Sequence, residues 1–297
     1  MFGINMFIFN TGYGIGVTSP IIGQLMGNIL DQGTSSWFAS SLVIGQIFGS
    51  MLGSLVANRI GRKKGCIISA LLSSVGWSVI SISQNYFMLI LGRILTGFFD
   101  CLIVPGAYMY ISEVSETKLK GSFLNSTAVA SGLGIAFGYL FGCNVLWRYA
   151  CFAAIFANII GIVALCFCYE SPYYLLMSSQ SAMDCLRWYR QLCHGTDDKE
   201  DHQEIERELK DIEYEVSAYG QGFRESARKL SQGPNLRAYL IVAALFAFFP
   251  LTGVYNISFF AVDLFNKLGL GGAETVAVFT ALVRCLGTSC STLLLLR

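Results

Sequence analysis

From Ser36 to Ala57 the chain runs without one Asp, Glu, Lys or Arg, and the same holds from Cys66 to Ser83. Between them lies Asn58–Gly65, NRIGRKKG, which gathers Arg59, Arg62, Lys63 and Lys64. Uncharged apolar runs of this length constrain the fold more than any other feature. About 20 apolar residues in a helix cross the hydrocarbon of a bilayer, and in lipid only a helix or a closed barrel satisfies its own backbone. Eight such runs can be counted, at roughly 2–26, 36–57, 66–84, 87–112, 122–144, 147–169, 236–262 and 274–296. Only 13% of residues are charged, against about 25% in soluble domains. An all-α membrane protein is the expected class.

The charges are concentrated. About half fall between Tyr173 and Pro234, a mildly acidic, water-facing insertion that offers no nucleic-acid surface. Within it, Ala182, Leu186 and Tyr189 share one helical face, as do Ile205, Leu209, Ile212 and Val216, so two amphipathic helices are expected. Most of the ten cysteines, including Cys66, Cys101, Cys151, Cys166 and Cys168, sit inside apolar runs and read as packing residues. The histidines, His194 and His202, lie in the insertion, so no metal constellation and no cofactor is expected. The N-terminus lacks the basic segment of a signal peptide and reads as the first span.

Connector charge sets the expected sidedness. Lys118 and Lys120 lie between runs four and five, beside the four cations after run two; the alternate connectors hold only Arg148 and Lys267. Lys and Arg mark the cytoplasmic side. The N-terminus, the connectors after runs two and four, and the insertion are expected there. Small-xxx-small spacings, Gly45–Gly49–Gly53 and Gly134–Gly138–Gly142, predict close helix packing. Pro105 and Gly106 are expected to bend the fourth run. The sequons at Asn125 and Asn256 fall at a cytoplasmic helix start and within a span, so neither is expected to be glycosylated.

Short motifs fit this layout: NRIGRKKG after run two, GRILTG (Gly92–Gly97) opening run four, YISEVSETKLKG (Tyr110–Gly121) leaving it, YESPYYLL (Tyr169–Leu176) after run six and LTGVYN (Leu251–Asn256) in run seven. Together they resemble the sugar porter branch of the major facilitator superfamily, closest to insect trehalose and glucose facilitators. The resemblance implies a major facilitator fold of two six-helix halves. Here it predicts an N-terminal six-helix bundle (1–170), a cytoplasmic helical insertion (171–234) and the first two helices of the C-terminal half (235–297). Arg297 would match the family's second basic loop, so a truncated chain is expected. The resemblance further implies facilitative sugar transport at the plasma membrane, with a hexose, trehalose or a related polyol as substrate, the bilayer as surroundings and no enzymatic role. A non-transporting sensor or assembly partner, or a carrier of another small solute, is the alternative.

By the same resemblance Arg59, Arg62, Lys63, Lys120 and Arg297 pair with Glu113 and Glu170 as a cytoplasmic gate. The family's Pro-Glu-Ser-Pro-Arg is Tyr169-Glu170-Ser171-Pro172-Tyr173 here, Lys120 stands for an arginine and Asn58 for an aspartate, so a looser gate is expected. The seventh run departs further. The family's paired glutamines are Phe249 and Pro250, its asparagine is Tyr255, and its tyrosine pair is Phe259 and Phe260. Ser126, Thr252, Tyr255, Asn256 and Arg284 remain as candidate substrate contacts, and Arg284 raises the possibility of an anionic substrate. Gly14 replaces the aspartate that proton-driven relatives set against Arg93, which favours uniport. Asp100, near mid-span, is open to three readings: a partner for a neighbouring helix, a neutral buried acid, or a displaced proton carrier.

Overall fold

The computed structural model describes residues 1–115, 119–178, 185–186, 209–210, 212–214, 233–269 and 271–295. The described residues form helices α1 (Phe2–Gly16), α2 (Thr18–Leu25), α3 (Gln32–Ile60), α4 (Arg62–Ile82), α5 (Tyr86–Val114), α6 (Lys120–Asn144), α7 (Trp147–Cys166), α8 (Pro172–Met177), α9 (Gly233–Leu251), α10 (Val254–Phe259), α11 (Ala261–Lys267) and α12 (Ala273–Leu295). Among them there is no strand beyond an isolated bridge in the turn from Met26 to Leu30. Among the described residues, six helices are long and apolar enough to cross a membrane: α3 to α7, and α12 over Ala273–Thr292.

The first and seventh runs differ from expectation, for each is broken. Run one divides at Val17. Pro20 has no N–H to give the Gly16 carbonyl, and the helix restarts at Thr18, whose hydroxyl turns back to the Gly14 carbonyl at 2.7 Å. Run seven becomes α9, α10 and α11. The first break falls at Gly253, whose φ of 76° only glycine adopts without strain.

The chain divides into two compact units: Met1–Ser171 with Ser258–Arg297, and Pro172–Ile257. In the second, Leu186 and Ile212 are buried together, with Tyr173, Leu176 and Leu209 packed against them. These belong to the apolar faces expected of the insertion; the rest of both amphipathic segments, with His194 and His202, lies outside the described residues. So do Lys118 and Arg297.

The first unit rests on two glycine seams. A Cβ on Gly45, Gly49 or Gly53 of α3 would run into the carbonyl oxygens of Ile94, Phe98 and Leu102 of α5 in turn. On α6, Gly134, Gly138 and Gly142 meet the backbone near Phe9 and Tyr13, then Val17, then the Pro20 ring. Contact partners advance in the same direction on both helices, so each seam is a parallel pair. That is required of alternate spans, which cross in the same sense. Small residues at every fourth position let the backbones touch, and dispersion then supplies the attraction that hydrophobicity cannot supply in lipid. The opposite faces carry bulk: Ile47, Phe48, Met51 and Leu55 on α3, and Phe152, Phe156, Ile159 and Val163 on α7, are exposed. α12 lies along α6, where Asn125 donates to the Thr288 carbonyl and to Thr292 Oγ1 (3.1 and 2.7 Å); Tyr139 of α6 also donates to the Ser258 carbonyl of α10 at 2.6 Å.

Candidate functional site

At the α3–α4 turn, Gly61 (φ 108°) reverses the chain and starts α4 with Arg62. The Arg62 guanidinium turns inward. Nε and Nη2 both donate to Glu113 Oε1 near the end of α5, at 3.2 and 2.9 Å, and the other Glu113 oxygen accepts the Ser171 hydroxyl. Arg62 is 5% exposed and Glu113 14%, so the pair is shielded from solvent.

Lys63 and Glu170 meet differently from the expected ion pair. Glu170 Oε1 accepts the Lys63 backbone N–H at 2.7 Å and Oε2 accepts that of Lys64 at 3.3 Å. These are first-turn amides of α4, which have no partner within their own helix. The Lys63 ammonium in turn donates to the Cys166 and Cys168 carbonyls at 3.3 and 2.6 Å, at the end of α7. Glu170 therefore caps the start of α4 and Lys63 the end of α7, with a carboxylate at an N-terminus and an ammonium at a C-terminus, as the helix dipole favours. Charged caps contribute about 1–2 kcal/mol each. Glu170→Ala and Lys63→Ala are expected to destabilise by amounts in that range, read as thermal unfolding of the detergent-purified chain, while Lys63→Arg keeps most of the cap. Tyr110 adds a third tie, from its hydroxyl to the Tyr169 carbonyl at 2.8 Å. Arg59 is exposed on the last turn of α3, and no hydrogen bond or ion pair joins the Lys120 side chain to another described residue.

A second polar feature crosses the middle of the bundle. Arg93 is fully buried between the Phe38 and Trp77 rings, 4.4 and 5.7 Å from their centroids, and Nη1 donates to the Gly14 carbonyl at 3.1 Å. Asp100, two turns along α5, makes no ion pair with Arg93 among the described residues; Oδ1 accepts the Ser73 hydroxyl at 2.5 Å. Ser73 faces the Asn158 amide of α7 at 3.4 Å, and Asn158 Oδ1 accepts the Asn10 amide of α1 at 3.1 Å. The Asn158 amide also donates to the Ala70 carbonyl and to Ser74 Oγ. Asn10, Ser73 and Asn158 carry no local signal that sets them apart from other small polar residues in apolar runs, so nothing in the sequence alone marks them. Ser171 stood in a quoted motif without a role.

The candidate substrate residues divide between the units. Ser126 of the first lines an apolar groove of about 560 Å³ with Phe2, Phe9 and Leu133, and exchanges a hydrogen bond with Asn5 at 3.2 Å. Arg284 sits half-buried at the middle of α12 and makes no ion pair with a described residue. Thr252, Tyr255 and Asn256 belong to the second unit, exposed at the break between α9 and α10. A separate cavity of about 690 Å³ opens in the first unit between α2, α3 and α6 on one side and α11 and α12 on the other. Gln32, Ser36, Asn266 and Glu274 line it, with the Phe260 ring. None of these four polar residues stands out in the sequence, because Gln32 and Ser36 lie near one end of the chain and Asn266 and Glu274 near the other.

The profile of the family described as "Sugar (and other) transporter" matches residues 1–297. The chain is similar to facilitated glucose transporter member 8 of solute carrier family 2 from Bos taurus, at 26% identity over 291 residues, covering 96% of this chain and 57% of that protein. It is also similar to the glucose transporter GlcP of Staphylococcus epidermidis, at 29% identity over 275 residues, covering 89% and 58%. The chain thus spans a little over half the length of these relatives. Among solved structures, the xylose transporter XylE from E. coli, in a partially occluded inward-open conformation, superposes with a TM-score of 0.73 at 17% identity, covering 96% of this chain and 70% of XylE. The shared fold is that of the major facilitators, and the apolar helices make this an integral, multi-pass membrane protein. With a family profile matched along its whole length, the chain belongs to the sugar (and other) transporters, the sugar porter family of the major facilitator superfamily.

Proposed function

We propose that this protein carries a sugar or related polyol, such as a hexose or trehalose, down its gradient across the plasma membrane by alternating access. The observation that supports this best is the cavity of about 690 Å³ between α2, α3 and α6 and the pair α11 and α12. Its size suits a small ligand, and it combines polar side chains with one aromatic ring, the chemistry that hydroxyls and a sugar ring face require. The names of the relatives, glucose transporters in both cases, point to the same substrate class. Downhill transport is supported at Gly14, where Arg93 meets a backbone carbonyl and no carboxylate. The N-terminus, the α3–α4 and α5–α6 turns and residues 171–234 face the cytosol in this reading. Residues 1–170, 171–234 and 235–297 then serve as bundle, cytosolic insertion and start of the second half. Ser126, Thr252, Tyr255, Asn256 and Arg284, none of which lines that cavity, are proposed as further substrate contacts on the strength of the family resemblance.

Radiolabelled glucose and trehalose uptake into proteoliposomes holding the whole gene product tests this. Saturable uptake that stops at equal internal and external concentration, even under an inward proton gradient, is expected. Accumulation beyond that ratio would replace uniport by symport. Saturable binding with no uptake would favour the sensor reading, which the replacement of the family's glutamines by Phe249 and Pro250 supports.

The charged cluster is the proposed cytosolic gate, with Arg59, Arg62, Lys63, Lys120 and Arg297 as cations and Glu113 and Glu170 as anions. Glu113→Gln is expected to shift folded carriers between inward-accessible and outward-accessible labelling; an unchanged ratio would remove Glu113 from the gate.

A further inference from the structure

We propose that Asp100 is a proton-binding site whose occupancy sets how tightly α1, α4, α5 and α7 are tied, so that the rate of carriage responds to pH. Asp100 lies at the centre of α5, which runs from Tyr86 to Val114 and continues through Pro105, and it is 2% exposed. It is too far from either helix end to reach water by extending a short side chain. An ionisable group in that position is costly to hold charged and usually has a role. Arg93 is the charge that acts on it, from the same helix and without an ion pair. Tyr13 of α1 and Cys151 of α7 are the titratable groups on the Arg93 side, and Cys101 is the neighbour in sequence. α4 faces Asp100 with Ser73, and α3 meets this part of α5 through the backbone of Gly45, Gly49 and Gly53. α1 approaches with Gly14, where an added Cβ would stand 3.9 Å from Asp100 Oδ2.

The hydrogen bonds that end on Asp100 share one direction. The Asn10 amide donates to the Asn158 carbonyl oxygen, the Asn158 amide to Ser73 Oγ, and the Ser73 hydroxyl to Asp100. Two further contacts of the Asn158 amide N–H group, to the Ala70 carbonyl and Ser74 Oγ, fix its orientation, so the direction of the chain is not arbitrary. A run of donors aimed at one carboxylate is mutually polarising, and its final link, to a charged acceptor, is roughly twice as strong as a neutral one. Protonation converts that acceptor into a donor and frees the Ser73 hydroxyl to turn. The link between four helices then weakens at its strongest point, and no covalent step is involved. A metal cation does not suit the site. A hard cation gathers about six oxygens, and here an amide N–H faces Ser73.

The flux part of this proposal rests on the transport reading; the binding part does not. Infrared difference spectra of the full chain in lipid, taken between mildly acidic and mildly alkaline buffer, test it without transport. A carboxylic C=O band that appears on acidification, is absent in Asp100→Asn and moves in Ser73→Ala is expected. Asp100→Asn mimics the protonated shape, so it is expected to fold. In proteoliposomes the wild-type rate is expected to change several-fold across the same buffers, and that of Asp100→Asn to stay level. The proposal is overturned if the band is missing in wild type, if it survives Asp100→Asn, or if the variant keeps the wild-type pH profile. A rate that follows sodium at fixed pH overturns it as well. Absent transport with the band intact would refute only the sugar-carrier reading.

Discussion

Gly49→Val is expected to cost about 3 kcal/mol or more and to lower the unfolding temperature by roughly 6–12 °C. The reason is local and steric. A Cβ at Gly49 would collide with the Phe98 carbonyl oxygen and stand 2.9 Å from the Phe98 carbonyl carbon. Those atoms belong to helix backbone and cannot turn aside as a long side chain would. Relief requires α3 and α5 to separate. That separation would also loosen the contacts of Gly45 and Gly53 one turn to either side, and the reciprocal contact of Gly97 with the Leu42 carbonyl. Gly121→Ala is the control. It lies in the first turn of α6 with no heavy atom within 4 Å of an added Cβ. There the change is expected to be neutral or slightly stabilising, by up to about 1 kcal/mol, through helix propensity. Thermal unfolding in one detergent, followed by tryptophan fluorescence, separates the two outcomes. A Gly49→Val chain as stable as wild type would mean that α3 and α5 do not meet through backbone contact.

These seams also mark what the sequence makes legible. Glycine every fourth residue can be read from one segment alone, and both expected stripes do lie at helix contacts. Which helix each stripe meets could not be read. The pairing of α3 with α5 and of α6 with α1 is set by the whole bundle, and spacing within one segment holds no record of its partner. The breaks at Val17 and Gly253 were missed for a related reason. Hydropathy averages over a window, so Pro20 and Gly253 vanish into runs whose mean stays apolar. In the charged cluster, residue types and positions were legible but geometry was not. Lys63 and Glu170 have opposite charges and were expected to meet. Instead Glu170 binds the backbone at the start of α4 and Lys63 the backbone at the end of α7, a choice that depends on where α4 starts and α7 stops. Asp100 and Arg93 were conspicuous as charges within an apolar run. The hydroxyl and two amides that extend from Asp100 to α1 were not, because Ser and Asn are common in spans and a partner on another helix leaves no local trace.

Arg62 should be the most costly single side chain to remove from the charged cluster. Arg62→Gln is expected to destabilise by about 3–5 kcal/mol, because it leaves Glu113 shielded from solvent without the guanidinium that offsets its charge. Both Arg62 nitrogens converge on one Glu113 oxygen while Ser171 holds the other, so no rotation of Glu113 restores a second cation. Glu113→Leu is expected to cost a similar amount for the converse reason. The double variant, Arg62→Met with Glu113→Leu, should recover most of the loss. Two apolar side chains of similar size carry no desolvation cost, and buried pairs exchanged for well-packed apolar residues are often neutral in stability. The coupling between the two sites should therefore be large, beyond the few tenths of a kcal/mol that separate, independent sites show. It should also change little between low and high salt, since a pair at 5% and 14% exposure is poorly screened. Simple additivity of the single variants, or a coupling that disappears in high salt, would mean that Arg62 and Glu113 behave as two solvated surface charges. Stability and gating can then be separated in the double variant. If it unfolds like wild type yet labels with an altered inward-to-outward ratio, the pair contributes to the conformational equilibrium and not only to holding α4 against α5.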